Sequence, residues 1–256
     1  MAVWRPLAAI CALGALVAAS EGAGASGVEP AKAEAVEVAR LLALLLDSGR
    51  VVLAERQSQL NDPSVSDKGF TTAVFEGEVV EEFLQRSGGL DLARLEAAKI
   101  SEQGKQLLWS LMAAGKEVVQ EKQPVLNEKF LGYKNLIPAT WGTWTTKKFS
   151  QRTKARLKQT ALDFRNPNNA PDAFETRVLK LFADSNYPRA GERVLTEVTE
   201  DGKAVRLMLP LFHKKECLVC HGTPKGDIDI SGFRKEGHAE GESAGAISVT
   251  IPLDGK

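Results

Sequence analysis

The chain has 256 residues, and its 33 basic and 33 acidic side chains balance to a formal net charge of zero at pH 7. This balance offers no electrostatic attraction for nucleic acid or for an anionic membrane surface, so the composition excludes both as partners. The length fits one large domain or two small ones, with enough chain for a hydrophobic core.

The first 25 residues have the pattern of a secretory signal peptide. Arg5 gives a positive start, residues 7–19 form an apolar run, and small residues at 18–20 or 23–25 provide a cleavage site. The run is shorter than the roughly 20 residues of a transmembrane helix, and a retained N-terminal anchor is the alternative. Cys11 lies inside the run and is expected to be removed. We therefore expect a periplasmic protein whose mature form has two cysteines and keeps zero net charge.

Residues 26–129 are predicted to form a helical arm. From about Pro30, apolar residues recur at the spacing of an amphipathic helix, with Gly49 filling one gap and residues 41–46 apolar all round. An Asn-Asp-Pro-Ser turn at 61–64 ends this helix. The apolar positions are Ala35, Val38, Leu42, Leu45 and Val52. Further helices are predicted at 71–85 and 90–122, with a Ser-Gly-Gly break between them and Pro124 ending the second.

Residues 130–256 alternate strand and helix signals. Two runs at 193–199 and 203–212 flank Glu200-Asp201-Gly202, which predicts a β-hairpin. Residues 247–253 repeat apolar side chains with a period of two, and 172–182 is predicted as a helix that opens at Asp172 with Glu175 in its first turn. Antiparallel strands with intervening helices indicate an α+β sheet domain that carries the helical arm.

The most specific motif is Cys217-Leu218-Val219-Cys220-His221. Cys-x-x-Cys-His is the spacing that attaches a c-type haem, with two thioether bonds and the histidine as axial iron ligand. The alternatives are a periplasmic disulfide and a metal-binding pair. A zinc site needs two further ligands, and His221 follows Cys220 too closely to be an easy one. Gly222 either lets the backbone turn away from the porphyrin or is a simple loop glycine.

Several segments, taken in order, resemble a known family. They are residues 157–160, Arg165-Asn166-Pro167 and onward to Glu175, the haem motif with Gly222, and 241–249, together with 48–50, 61–63 and 67–69 in the arm. This set resembles the Tll-type single-haem-c domain of PAS-like fold, found as stand-alone periplasmic proteins and as input domains of bacterial receptors. The resemblance implies a PAS-like antiparallel sheet domain at 130–256, one covalent haem c, and a role in redox or gas sensing.

The sixth iron ligand is open in the sequence. Some relatives place a cysteine of the N-terminal helix there, whereas the corresponding position in this chain falls near Gln57, a weak ligand. His213 is a candidate, although the chain would have to wrap the porphyrin to bring it opposite His221. The others are His238 in a Gly- and Glu-rich loop, Met112 in a predicted helix core and Met208 on the outer face of its strand. An open or water-bound position is the remaining alternative.

Other residues near the predicted site have two interpretations each. Arg165 is predicted to bind a haem propionate through its guanidinium, or else to pair with Asp172 or Glu175. Lys158 and Lys134 are weaker propionate candidates. The Asn-Pro-Asn-Asn stretch at 166–169 is predicted as a rigid turn. Five aromatic residues would either wall the porphyrin or belong to the core: Trp141, Trp144, Phe149, Phe164 and Tyr187.

Three functions compete. The protein is a redox or small-gas sensor, a one-electron carrier, or a haem enzyme of peroxidase or nitric oxide type. Catalysis ranks last, because it needs a distal acid or base that the sequence does not assure. The expected partners are haem, a gas such as NO, CO or O2, a redox protein, and a second copy bound through the helical arm.

Overall fold

The fold is described from a computed structural model and covers residues 25–191 and 193–253. Most of the predicted signal peptide, including Cys11, lies outside these residues. The helices are α1 (Ala25–Glu55), α2 (Gln57–Leu60), α3 (Thr72–Arg86), α4 (Glu102–Leu126), α5 (Pro138–Arg152), α6 (Ala173–Ala183) and α7 (Leu218–His221). The strands are β1 (Arg156–Thr160), β2 (Leu195–Val198), β3 (Ala204–Phe212) and β4 (Ser243–Pro252). Within the described part, no helix is both long and apolar enough to span a membrane.

The sheet is antiparallel, with the strand order β1-β4-β3-β2. The predicted hairpin is present, because β2 pairs with β3 and the turn between them uses Gly202 at φ 70°. Leu207 lies opposite Val249 in the central pair, and the alternating residues of β3 and β4 are buried as the period of two predicted. The predicted α+β class, an antiparallel PAS-like sheet with N-terminal helices, is confirmed.

Helices cover both faces of the sheet. One face joins the core that includes α1, α3, α4 and α5, whereas the other packs Met208 and Ala246 against α6. Met208 therefore faces away from the main core, as its place in the strand predicted. Helix α6 begins after Asp172 as predicted, and a capping box closes this end: the Asp172 side chain accepts from the Glu175 backbone and the Glu175 side chain accepts from the Asp172 backbone, both at 2.9 Å.

Helix α1 runs through the centre of the core. Residues 41–46 are all buried, which accounts for their being apolar on every side. The helix packs against α3, α4 and α5 and also against β3 and β4. The predicted arm and the sheet thus share one hydrophobic core; the boundary at residue 129 stays a prediction.

Two local predictions were wrong, and one helix was not predicted. The predicted helix at 90–122 is two elements, because Ala98 is extended and Ser101 caps a new start at Glu102. Pro124 lies within the last turn of α4, which continues to Leu126. Helix α5 was missed altogether, although Pro138 at its first position is a known start signal.

Candidate functional site

A cavity of about 650 Å³ opens where the haem motif meets the end of β3. Its walls come from α1, the segment before α5, α5 itself, β1 with the loop after it, and the loop that precedes β4. Its volume falls in the range of pockets that bind small molecules and cofactors. Both Cys217 and His221 line it, so the structure brings the motif to a cleft of suitable size.

The motif residues lie on a short helical turn. A 3-10 turn at Lys215–Cys217 leads into α7, whose C-terminal residue is His221. Both cysteines are free thiols, and burial raises the pKa of Cys220. Gly222 ends α7, and a Cβ there would lie 2.5 Å from the Leu218 carbonyl oxygen, so a side chain does not fit. Among the described residues, no group of three or more His, Cys, Asp or Glu is arranged to hold a metal ion.

His221 is held by a carboxylate. Its Nδ1 lies 2.8 Å from Oε2 of Glu236. Arg165 donates to both oxygens of this carboxylate, from Nε to Oε1 at 2.6 Å and from Nη2 to Oε2 at 2.8 Å. Burial alone would raise the pKa of Glu236, but the hydrogen bonds from Arg165 and His221 outweigh it and lower that pKa to about 2. Glu236 is therefore ionised at neutral pH.

Arg165 forms hydrogen bonds with several groups around the haem motif. It also donates to Asp229 at 2.7 Å and to the Cys220 carbonyl at 3.1 Å, so all three guanidinium nitrogens are engaged. The alternative pairing with Asp172 or Glu175 is wrong. Those two carboxylates bind Arg206 and Lys158 instead, because they face the far side of β1 and β3. Arg165 lines the cavity, and its role toward a propionate stays a prediction.

Three histidines come together, which the sequence did not reveal. The His213 ring centroid lies 5.2 Å from that of His221 and 4.6 Å from that of His238. His213 is 5% exposed and its Nδ1 has no hydrogen-bond partner. Burial, with the neighbouring His221 and His238, lowers the pKa of His213 to about 4. His213 is thus a neutral imidazole at the wall of the cavity.

His238, in its Gly- and Glu-rich loop, is partly buried and is held between two carboxylates. Its Nδ1 and Nε2 each lie 2.9 Å from a carboxylate, Glu242 and Asp163 respectively. Burial opposes a charge on His238, but these two hydrogen bonds outweigh it and raise its pKa. Since a carboxylate only accepts, both ring nitrogens donate, and neither is left to bind a metal.

The other candidates for a sixth ligand lie elsewhere. The Gln57 amide donates at 2.9 Å to the carbonyls of Leu53 and Leu136 and is absent from the cavity wall. Met112 packs against the main core, and Met208 is buried against α6. Of the named side chains, His213 alone lines the cavity and keeps a nitrogen without a partner.

The remaining predicted residues divide between cavity and core. Trp144 and Phe164 line the cavity, whereas Trp141 and Phe149 are core residues and Tyr187 packs edge-on against Phe182. Lys158 is engaged by Glu175 and the Ala170 carbonyl, and buried Lys134 donates to the Glu128 carbonyl. The predicted turn at 166–169 is a 3-10 turn capped by the Asn166 side chain.

Arg50, like Glu236, lines the cavity without having been predicted as a site residue. Arg50 reaches the cavity from α1; its Nε is buried without a hydrogen bond and lies 3.4 Å from Asp47. Its place in the segment 48–50, which is part of the family resemblance, was the one feature of the sequence that marked Arg50 as a possible site residue. Its position relative to the apolar stripe gave no indication that it faces a site.

Comparison with known proteins decides the family. A family model described as Tll0287-like matches residues 28–252. The chain belongs to the Tll0287-like family. This Tll0287-like chain is also similar to a solved structure titled "Crystal structure of the cyanobacterial heme-protein Tll0287", with 21% identity, 59% of this chain and 98% of that chain covered, and a TM-score of 0.41. A search of curated proteins gave no match.

Proposed function

We propose that this protein is an exported c-type haem protein that senses redox state or a small gas. The observation that carries the proposal is the Cys-x-x-Cys-His motif, whose Cys217 and His221 line a cavity of about 650 Å³. The wall also holds a buried imidazole nitrogen, Nδ1 of His213, that has no hydrogen-bond partner among the described residues. These features fit a haem held by the chain. The family match and the haem-protein title of the similar structure support the same assignment.

The residues would divide the task as follows. Cys217 and Cys220 form the thioether bonds, and Nε2 of His221 serves as the proximal ligand. His213 would offer a second nitrogen ligand to the iron, because its buried Nδ1 at the cavity wall has no hydrogen-bond partner among the described residues. Arg50 would offer its guanidinium to a propionate, since its buried Nε makes no hydrogen bond to a described residue and has only an ion pair with Asp47 at 3.4 Å. When bound, the haem supplies a one-electron couple and an iron that takes up gases.

Sensing is favoured because α1 contributes directly to the cavity through Arg50 while its other residues pack along the sheet. A change at the site therefore reaches an element outside it. One-electron transfer is the second candidate. Exposed apolar side chains near the motif, Val219 at 64% and Phe233 at 49%, offer a surface for a redox protein. The haem-enzyme interpretation, the periplasmic location and dimerisation through the arm stay predictions.

The covalent bond is tested by mass. After co-expression with a haem-c maturation system, the intact mass should rise by one haem per chain, and the pigment should survive denaturation and acid extraction. Cys217→Ala combined with Cys220→Ala should abolish attachment, because both vinyl additions lose their thiols. Pigment that passes into organic solvent would contradict the proposal, as would a colourless protein that contains zinc. Recovery of the mature protein from the periplasmic fraction tests export.

The role of His213 is tested by spectroscopy. Optical and paramagnetic resonance spectra of both oxidation states should show a low-spin iron in the parent. His213→Ala should convert it to high-spin and speed the binding of carbon monoxide and nitric oxide, because the sixth position is vacated. Met112→Leu, a change in the core away from the cavity, should leave the spin state and the rate of gas binding unchanged. Spectra that do not respond to His213→Ala would remove it as a ligand, and a low-spin parent that refuses both gases would favour electron transfer over gas sensing.

A further inference from the structure

The geometry points to Glu236 as a positioning residue that orients the proximal histidine and sets the reduction potential of the iron, with Arg165 moderating its effect. The inference rests on the proposed haem ligation by His221. It concerns the hydrogen bond on the other ring nitrogen, which nothing in the motif specifies. Glu236 lies fifteen residues after His221, in the loop that precedes β4.

The carboxylate fixes the state of the histidine ring. Oε2 of Glu236 lies 2.8 Å from Nδ1 of His221, and an ionised carboxylate accepts hydrogen bonds but does not donate. Nδ1 therefore carries the hydrogen, and the lone pair of a neutral ring lies on Nε2. That is the tautomer an iron ligand needs. The same contact also fixes the rotation of the ring.

The backbone holds Glu236 in this place. The amides of Gly237 and His238 donate to the His221 carbonyl at 3.1 Å and 2.8 Å. Gly237 has φ 85°, and a Cβ there would lie 2.9 Å from Lys225, so glycine permits this close approach. The contact between Glu236 and His221 is thus built by main-chain bonds on the next residues along the loop.

Arg165 donates hydrogen bonds to the same carboxylate that holds His221. It binds both oxygens of Glu236 and donates to the Cys220 carbonyl, so it is tied to the motif on two sides. A histidine hydrogen-bonded to a carboxylate is a stronger donor to its metal, which favours the ferric state. Arg165 competes for the same carboxylate oxygens, and we expect it to weaken this effect.

The test compares the two partners in the holoprotein. Glu236→Gln keeps the shape and an acceptor oxygen but removes the charge, so the midpoint potential should rise by an amount that corresponds to about a tenfold change in the ferric-to-ferrous ratio, or about 59 mV for one electron. Arg165→Gln should lower the potential, because Glu236 is then free to act on His221 alone. Glu216→Gln removes an exposed carboxylate next to Cys217 and should change the potential little.

A vibrational measurement separates the hydrogen bond from simple charge removal. In ferrous protein that also carries His213→Ala, in which the sixth position is vacated, the iron–histidine stretch should fall to lower frequency when Glu236→Gln is added and stay unchanged when Glu216→Gln is added. If Arg165→Gln does not fold, Arg165→Lys keeps the charge with fewer donors and should lower the potential by a smaller amount.

Two results would overturn the inference: an iron–histidine stretch that ignores Glu236→Gln, or potentials that move equally in Glu236→Gln and Glu216→Gln. Loss of covalent haem from the parent protein, or a spectrum that ignores His221→Ala, would instead contradict the proposed function. The two failures are therefore distinguishable.

Discussion

Within residues 25–191 and 193–253, three buried polar atoms at the cavity have no hydrogen-bond partner: Nε of Arg50, Oε1 of Gln159 and Nδ1 of His213. Folded proteins rarely leave such atoms unpaired, because each costs about 1–3 kcal/mol. Their side chains come from α1, β1 and the end of β3, and they meet only in the folded chain. A bound group that offers both donors and acceptors would recover part of that cost, so this wall is better suited to a ligand than to an empty core.

Asp229 is one of two carboxylates, with Glu236, that we expect to make the loop before β4 sensitive to acid. Burial would raise its pKa, but hydrogen bonds from Ser231, Arg165 and the Phe233 amide outweigh it and lower the pKa from 3.8 to about 2. The stabilisation is therefore fully present above the unfolded value and is lost as the pH falls from about 4 to about 2. The expected contribution at neutral pH is about 2 kcal/mol.

Asp229→Asn should lower the free energy of unfolding at pH 7 by about this amount and flatten its fall in acid, measured by denaturant titration at several pH values. Asp227→Asn, an exposed change in the same loop, should reproduce the parent curve. Parallel curves for the parent and Asp229→Asn would show that Asp229 does not carry the acid dependence.

Among the individual residues of the candidate site, the sequence identified those of the haem motif but few of the residues that contact them. The motif is read from contiguous residues, and spacing alone identifies it. Glu236, Arg50 and the contact of His213 with His238 depend on loops that fold back on the motif, and no periodic pattern marks such residues. The pairing of Arg165 was wrong for the same reason: its true partners follow it by 64 and 71 residues.

Between elements, Trp141 of α5 joins α1 and α4. A Cβ on Gly49 would lie 2.2 Å from its ring and one on Gly115 would lie 2.8 Å away, so the indole occupies space that two glycines leave open. Its Nε1 donates to the Gly115 carbonyl at 3.1 Å. The gap in the apolar stripe of α1 is therefore a contact with another helix.

Gly49→Ala should destabilise the protein by about 1–3 kcal/mol, because the added methyl group overlaps a ring enclosed on both sides. Gly77→Ala in α3 is the matched control: a Cβ there meets nothing within 4 Å, so this variant should gain about 0.5–1 kcal/mol. Thermal and denaturant unfolding measure both. Equal effects of the two variants would contradict the packing role of Trp141.

Element prediction succeeded where a pattern ran unbroken. Helix α1, the β2–β3 hairpin and α6 carry regular periodicity with clear start or turn residues. The start of α4 was misjudged, because Asp91 caps a 3-10 turn and Ser101 caps the separate helix α4 within one predicted helical segment. Helix α5 was missed because it presents few apolar residues. Tertiary contacts decide these segments more than local preference does.

For the whole molecule, the sheet depends on the helices for its apolar face. Leu207, Leu209, Ile247 and Val249 are buried in one cluster with α1. Residues 130–256 alone would leave this face in water, a large loss of burial for a domain of that size.

Expressed alone, residues 130–256 should lack fixed tertiary structure, seen as a weak near-ultraviolet circular dichroism signal and poor dispersion of amide resonances. The chain from residue 25 to 256 serves as the control and should show a strong near-ultraviolet circular dichroism signal and well-dispersed amide resonances. A well-dispersed spectrum for this fragment would show that residues 130–256 fold without the helical arm and would contradict the dependence of the sheet on α1.

Because α1 has 31 residues, it is a rod about 46 Å long. Arg50 touches the cavity near one end, while Ala25 lies about 37 Å away along the axis. Packing along most of that length leaves little freedom to bend or swing, so a shift imposed at Arg50 would travel as sliding or rotation of the entire helix. The movement delivered at the far end would then be about as large as the one that began at the cavity.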